Sequence, residues 1–265
     1  MPRHILSLSS QVAYGPVGNS AAVPALQAAG FTVLQVPTIL LSNHPGLGKP
    51  AGQPLPASDM QIMVAALENL GALKKCTGVM TGYFATAQQV HVAAACIKKM
   101  RNDNPALFVL VDPVLGDGDR LYVAEDVARA IRDELLPLAT CITPNSFELS
   151  WLTEQTIANR KDTLQAASLL HISEILATSV PMDNSRIANL VVSGEVVAET
   201  LSVLQPAAPH GTGDFLAGLY LASRLNGLAP QHALTRSVSI LECAIARSAG
   251  EPCLDIIGAL HEYQP

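Results

Sequence analysis

The hexapeptide His210-Gly211-Thr212-Gly213-Asp214-Phe215 places a carboxylate directly behind two glycines and ahead of the apolar run Phe215-Leu216-Ala217-Gly218-Leu219-Tyr220-Leu221. A Gly-x-Gly segment that opens a helix leaves amide N–H groups bare, and the helix dipole adds partial positive charge, so the place attracts an anion. Asp214, in the first turn, would itself be favoured by that dipole. Taken alone, the hexapeptide reads equally well as a helix cap behind a tight turn. A carboxylate beside an anion hole suits phosphoryl transfer to an alcohol. The acid accepts the hydroxyl proton while amides and a metal stabilise charge on the moving phosphoryl group.

Such a residue needs a scaffold, and the hydropathy pattern supplies one. Short apolar runs alternate with longer amphipathic ones. Strands are expected at residues 4–8, 31–37, 78–82, 107–111 and 141–143, with a weaker one at 175–177. A hairpin is expected from 190–192 and 196–198, joined by Ser193-Gly194-Glu195. Helices are expected over 19–29 (opened by Asn19, closed by Gly30), 125–136, 163–171, 212–225, 231–248 and 254–261. Ser58-Asp59-Met60-Gln61 and Thr86-Ala87-Gln88-Gln89 read as capping boxes that open helices to about residues 73 and 100. The Pro- and Gly-rich stretch 43–57 is too long for a simple connection and reads as a lid or a disordered loop. Strand–helix alternation implies a mostly parallel sheet with helices on both faces, an α/β/α sandwich with antiparallel additions at an edge.

In that architecture ligands bind beyond the carboxyl ends of the strands. Those ends are polar here: Ser9-Ser10-Gln11, Thr38 and Ser42-Asn43-His44, Thr81-Gly82-Tyr83, Asp112-Pro113-Val114-Leu115-Gly116, Thr143-Pro144-Asn145-Ser146-Phe147-Glu148, and Thr178-Ser179. Each is an ordinary turn by itself, and together they converge on one rim.

Composition bounds the alternatives. The chain has 265 residues, 49% apolar and 14% charged, enough to bury a large core and most simply read as one domain over residues 1–265. A formal charge of -6 gives no electrostatic footprint for nucleic acid. Lys98-Lys99-Met100-Arg101 reads as a solvated helix end. No apolar run has the length of a membrane span, and the first residues do not form a signal peptide, so a cytoplasmic protein is expected. The five cysteines form no CxxC pair and read as reduced thiols. No GxxxxGK[ST], no protein-kinase motif set, no GxGxxG after the first strand and no GxSxG elbow occurs.

Gly211-Thr212-Gly213-Asp214 resembles the GTGD-type signature of ribokinase-like kinases. The segment from Ser10 to Ser20, Gln11-Val12-Ala13-Tyr14-Gly15-Pro16-Val17-Gly18-Asn19 included, resembles the N-terminal block of pyridoxal kinases. Blocks at 36–43, 81–83, 111–117 and 142–149 resemble that family's in the same order. The resemblance implies a ribokinase-like fold and ATP-dependent phosphorylation of the 5'-hydroxymethyl of pyridoxal, pyridoxine or pyridoxamine. It also implies a homodimer using Mg2+ and, in many members, a monovalent cation such as K+.

By the same resemblance Asp214 is the base, and Gly211, Thr212 and Gly213 form the anion hole. Ser10, Thr38, Tyr83 and His44 face the pyridine substrate. Asp112, Thr143, Asn145, Glu148 and Thr178 lie on the Mg-ATP side together with Gly213, and Asp112, Glu148 and the flap residue Tyr122 are near the metal. Tyr83 and Tyr122 also read as half-buried aromatics, Glu148 as a first-turn acid and His44 as a solvated loop histidine. His210 stands where close relatives carry Lys, the flap Gly116–Tyr122 is a residue shorter, and the substrate loop His44-Pro45-Gly46-Leu47 lacks its aromatic. A hydroxymethylpyrimidine kinase and a non-catalytic vitamer-binding protein are the rival readings.

Overall fold

The computed structural model describes residues 3–183, 185–205 and 209–262. The chain runs β1 (His4–Tyr14), α1 (Asn19–Ala28), β2 (Thr32–Asn43), a 3-10 turn (Pro45–Leu47), β3 (Gly52–Pro54), α2 (Ala57–Asn69) and a second 3-10 turn (Leu73–Lys75). It continues through β4 (Cys76–Thr81), α3 (Ala87–Asp103), β5 (Phe108–Val111), and a small hairpin of β6 (Gly116–Asp117) and β7 (Arg120–Leu121). Next come α4 (Glu125–Ala130), β8 (Cys141–Ile142), α5 (Ser146–Thr153), α6 (Arg160–Ser168), β9 (Glu174–Asp183), β10 (Arg186–Ser193) and β11 (Val196–Val203). The last described elements are α7 (Thr212–Leu225), α8 (Pro230–Arg247) and α9 (Ile256–Glu262).

Nine strands form one sheet in the order β11-β10-β9-β8-β5-β4-β1-β2-β3. The six from β9 to β2 are mutually parallel, and β10, β11 and β3 are antiparallel additions at the two edges. Side-chain alternation divides the core. Ile5, Met80, Leu110, Cys141 and Leu176 pack against α1, α7 and α8. Leu6, Leu8, Val79, Val111 and Ile142 pack against α2, α3 and α4. Each fully buried side chain of this kind contributes about 1.5–3 kcal/mol, so the register is held from both faces. The three-layer α/β/α sandwich with a mostly parallel sheet is the expected fold class.

Local details differ where tertiary contacts compete with capping propensity. The N-cap of α1 is Gly18, with no side-chain cap. Asn19 instead turns into the core, where it accepts from Ser7 Oγ at 2.7 Å and donates to the Ser9 carbonyl at 3.1 Å. Helix α2 starts at Ala57 behind Pro56, so Ser58 lies inside the first turn and forms no capping box. Thr86 does cap α3, but Gln89 accepts from the Ala85 amide rather than closing a box. The helix expected over 125–136 passes from α4 into a π-helical turn (Ile131–Leu135) and then a 3-10 turn (Leu136–Leu138) at Pro137, which has no amide to donate. Helix α5, given no bounds by the sequence pattern although Glu148 reads there as a first-turn acid, is opened by a full capping box of Asn145 and Glu148. In the 43–57 stretch the structure has a 3-10 turn and a strand, β3, that pairs with β2.

Candidate active site

The same alternation that builds the core aims the polar strand ends. Ile5, Met80, Leu110, Cys141 and Leu176 face α7, so the residues an even number of positions further on (Ser9, Gly82, Asp112, Thr143 and Thr178) share that face just past the apolar core. The first turn of α7 closes over them. A Cβ placed on Gly82 would lie 2.4 Å from Ser9 Oγ and 3.9 Å from Asp214 Oδ1, which brings β1, β4 and α7 together at one point.

Helix α7 begins as the hexapeptide demanded. Gly211 is its N-cap at φ 92°, with no side-chain cap. A Cβ on Gly211 would sit 1.9 Å from the Pro16 carbonyl oxygen, so both the backbone angle and the close approach of the β1–α1 loop require glycine there. The first intrahelical bond is Phe215 N–H to the Gly211 carbonyl at 2.9 Å, which leaves the preceding amides of the turn free to receive an anion. Gly213 has no heavy atom within 4 Å of where its Cβ would be.

Asp214 occupies this turn and also faces the uncapped start of α1. Burial pushes its carboxyl up to about 6, while a hydrogen bond from the Gly18 amide pulls the other way. A carboxylate near that value is suited to accept a proton around neutral pH.

Two further acids complete the pocket. Asp112 is held well above the usual carboxylate range by burial, then by Glu148 and Asp214, with the Thr143 hydroxyl opposing. That hydroxyl lies outside hydrogen-bond geometry and has no partner among the described residues. Burial pushes Glu148 up to about 7, against backbone hydrogen bonds. Its Oε1 accepts from the Leu115 amide at 2.8 Å and its Oε2 from the Asn145 amide at 2.9 Å. Asn145 Nδ2 donates to the Gly116 carbonyl at 2.8 Å, so this pair ties the β6–β7 flap to α5.

Val114, between Asp112 and the flap, has φ 46°, a strained angle for a β-branched residue. Thr178 is half-buried and bridges to Asn145. Tyr122, on the flap side, is 57% exposed and its phenol is raised by burial, then by Asp117 and Glu148. A phenol held protonated offers a donor more readily than a metal ligand.

On the acceptor side, Ser10 lies at a register shift between β1 and β2, a bulge beside the site, and packs against Gly18. Thr38 is fully buried and its hydroxyl donates to the Tyr83 carbonyl at 2.6 Å, so it braces the loop that carries Tyr83. Tyr83 is half-buried, with its phenol raised by burial. His44 caps the Pro45–Leu47 turn, its Nδ1 accepting from the Gly46 amide at 3.1 Å. Its ring lies 4.1 Å from that of His210. No regularity of spacing signalled this contact, nor the involvement of Gly18, because each depends on how α1 and α7 pack.

A mostly parallel sheet with an uncapped, glycine-opened helix carrying an acid at the strand ends defines a ribokinase-like kinase fold. The phosphomethylpyrimidine kinase model matches residues 22–252. The chain is 34% identical to pyridoxal kinase PdxY of Deinococcus radiodurans, over 100% of this chain and 94% of that protein. It is 35% identical to a pyridoxine/pyridoxal/pyridoxamine kinase of Bordetella avium, over 91% and 84%. Pyridoxal kinase from Leishmania donovani in complex with ADP and pyridoxine superposes with a TM-score of 0.91 at 26% identity, covering 98% of this chain and 94% of that one. The chain belongs to the phosphomethylpyrimidine kinase family, among its pyridoxal kinases.

Proposed function

We propose that this protein transfers the γ-phosphoryl group of ATP to the 5'-hydroxymethyl of pyridoxal, pyridoxine or pyridoxamine. The observation that carries the reading is Asp214, a half-buried acid whose desolvation pushes it up to about 6 beside the bare amides of a glycine-opened helix. Asp214 takes the proton from the acceptor hydroxyl, and the amides of Gly211, Thr212 and Gly213 receive the phosphoryl oxygens. Ser10, Thr38, His44 and Tyr83 frame the acceptor ring; Thr143, Asn145 and Thr178 line the nucleotide side. The names of the curated relatives, and the ADP and pyridoxine bound by the Leishmania protein, support the choice of substrates.

The acid cluster fits a hydrated Mg2+. Asp112 sits in a desolvated pocket where Glu148 and Asp214 both raise it further, and Mg2+ prefers one or two carboxylates with phosphate oxygens and water. Among the described residues no set of three or more His, Cys, Asp or Glu could hold a metal ion without such help. Asp112 would be the direct or water-mediated ligand, and Glu148, whose oxygens already take two amides, would act through water. Tyr122 would cover the phosphates from the flap. When bound, Mg2+ would offset charge on the β- and γ-phosphates, and K+ is the companion ion we expect.

We read the chain as a single kinase unit that forms a cytoplasmic homodimer. Among the described residues no helix is long and apolar enough to cross a membrane. Hydroxymethylpyrimidine is the second acceptor to test, because the matching family model is described as phosphomethylpyrimidine kinase, which acts on a related pyrimidine.

The experiment is ADP release measured with ATP, Mg2+ and a panel of B6 vitamers and hydroxymethylpyrimidine. Vitamer-dependent release that is lost on chelating the metal is expected. Release with hydroxymethylpyrimidine alone would move the protein to the second reading, and release with neither would overturn both.

A further inference from the structure

Gly218 lies in the middle of α7, where glycine is disfavoured relative to alanine. Its backbone angle does not call for glycine, because its φ is not positive. The neighbouring helix does. A Cβ on Gly218 would lie 2.9 Å from the Ala22 carbonyl oxygen, 3.0 Å from Ala22 Cα and 3.2 Å from Ala22 Cβ. The nearest of these atoms belong to the backbone of α1, so a methyl group here is accommodated only by moving one helix away from the other. Both residues are buried in the core that α1 and α7 share.

This contact is in step with the base. Asp214 and Gly218 are four residues apart in α7, and Gly18 and Ala22 are four residues apart at the start of α1, so each pair shares a helix face. The two segments meet at three successive levels. Gly211 lies against the Pro16 carbonyl, the Gly18 amide bonds to the Asp214 carboxylate, and Gly218 lies against Ala22. Asp214 therefore sits between the two glycines that let the backbones close, one turn, or about 5.4 Å, from Gly218. A displacement of α7 at Gly218 is carried to Asp214 through that single turn of helix.

We propose that Gly218 is a positioning residue for phosphoryl transfer: by letting α7 lie against the backbone of α1, it sets how far the Asp214 carboxylate stands from the acceptor hydroxyl. Gly218 is buried between the helices and acts through Asp214. The inference rests on the kinase reading above and adds to it a determinant of where the base is held. Substrate binding is spread over many groups on the rim, whereas proton transfer depends on one distance. A shift of a few tenths of an ångström therefore falls on kcat more than on KM.

The test measures steady-state kinetics, the single-turnover phosphorylation rate and Tm for wild type, Gly218→Ala, Ala22→Ser and Ala94→Gly. Gly218→Ala should lower kcat and the single-turnover rate by about 3- to 30-fold, with the KM for ATP and for vitamer within about twofold of wild type. Ala22→Ser enlarges the facing residue by one oxygen and should lower the same rates by about 2- to 5-fold. It decides the matter if Gly218→Ala does not fold. Ala94→Gly weakens α3, which packs on the other face of the sheet, and should lower Tm while leaving kcat unchanged well below the unfolding temperature. Wild-type rates in every folded variant at the α1–α7 contact would overturn the assignment. So would a loss that appears wholly in KM, or an equal loss of rate in Ala94→Gly. Failure of the wild type to phosphorylate any vitamer would instead remove the kinase reading beneath it.

Discussion

The rings of His44 and His210 lie 4.1 Å apart at an interplanar angle of 41°, joining the Pro45–Leu47 turn of the acceptor loop to the residue that precedes the anion hole. A Cβ on Gly46 would come within 2.1 Å of His210 Nε2, so the loop backbone itself packs on that ring. His210 also bridges to Cys253, whose thiol meets the Tyr14 phenol. At the residue preceding the anion hole this chain thus has an aromatic ring that packs on the loop.

That contact predicts a pH dependence of acceptor binding. Burial, and then His210, lowers the His44 pKa from 6.5. His44 thus binds its proton less readily when packed than when free, and acidification through 6.5 and below favours the unpacked loop. Between about pH 7.5 and about pH 5.5 the KM for the vitamer should rise roughly two- to fivefold, with the KM for ATP steady. A His210→Asn variant should show a higher KM at neutral pH and a flatter dependence, as measured by steady-state kinetics.

Asp214 predicts a separate limb in kcat. Its folded value of about 6 lies above the ordinary 3.8, so the base is ionised and active only as pH rises through about 6. Asp214→Asn should lower kcat by about 100-fold or more and abolish that limb. The stability sign is opposite to the activity sign. A raised carboxyl costs stability from pH 3.8 upward, in full above about 6, so the Asn variant should unfold at a higher temperature at alkaline pH and near wild type in acid.

The two glycines of the hexapeptide should respond differently. Gly211→Ala places a Cβ against the Pro16 carbonyl at φ 92° and should destabilise the fold by more than about 1 kcal/mol. Gly213→Ala meets open space inside a helix, where alanine is favoured by about 0.5–1 kcal/mol. It should therefore raise Tm while raising the KM for ATP, because the new methyl stands where phosphate oxygens approach. Urea unfolding and nucleotide kinetics on the two variants separate these outcomes.

Glu148 should prove to be the tie between α5 and the flap. Glu148→Ala frees the Leu115 and Asn145 amides that its two oxygens hold. Hydrogen exchange at those two amides should accelerate by about tenfold or more, with smaller changes in β1 and β4. A rise in the KM for ATP should accompany it as Gly116 loosens.

The sequence by itself determined the elements whose signals are local. Short, nearly continuous apolar runs gave the parallel strands, and the bounds of α7 follow from the glycines and the apolar run that flank Asp214. The acid, the anion-binding turn and the polar strand ends were legible for the same reason: each lies in one short segment whose chemistry does not depend on distant contacts. Asn19 was not, because its amide is drawn into the core by Ser7 and Ser9 and leaves the cap to Gly18. Nor was α5, whose capping box was hidden within a strand-end motif.

Only the tertiary structure decided what those local pieces face. Desolvation raises Asp112, Glu148 and Asp214 because three separate segments are packed into one pocket. His44 meets His210 only once the sheet has brought its loop to the anion hole. Burial, mutual charge and ring contact act through space, and local residue patterns do not encode these distances.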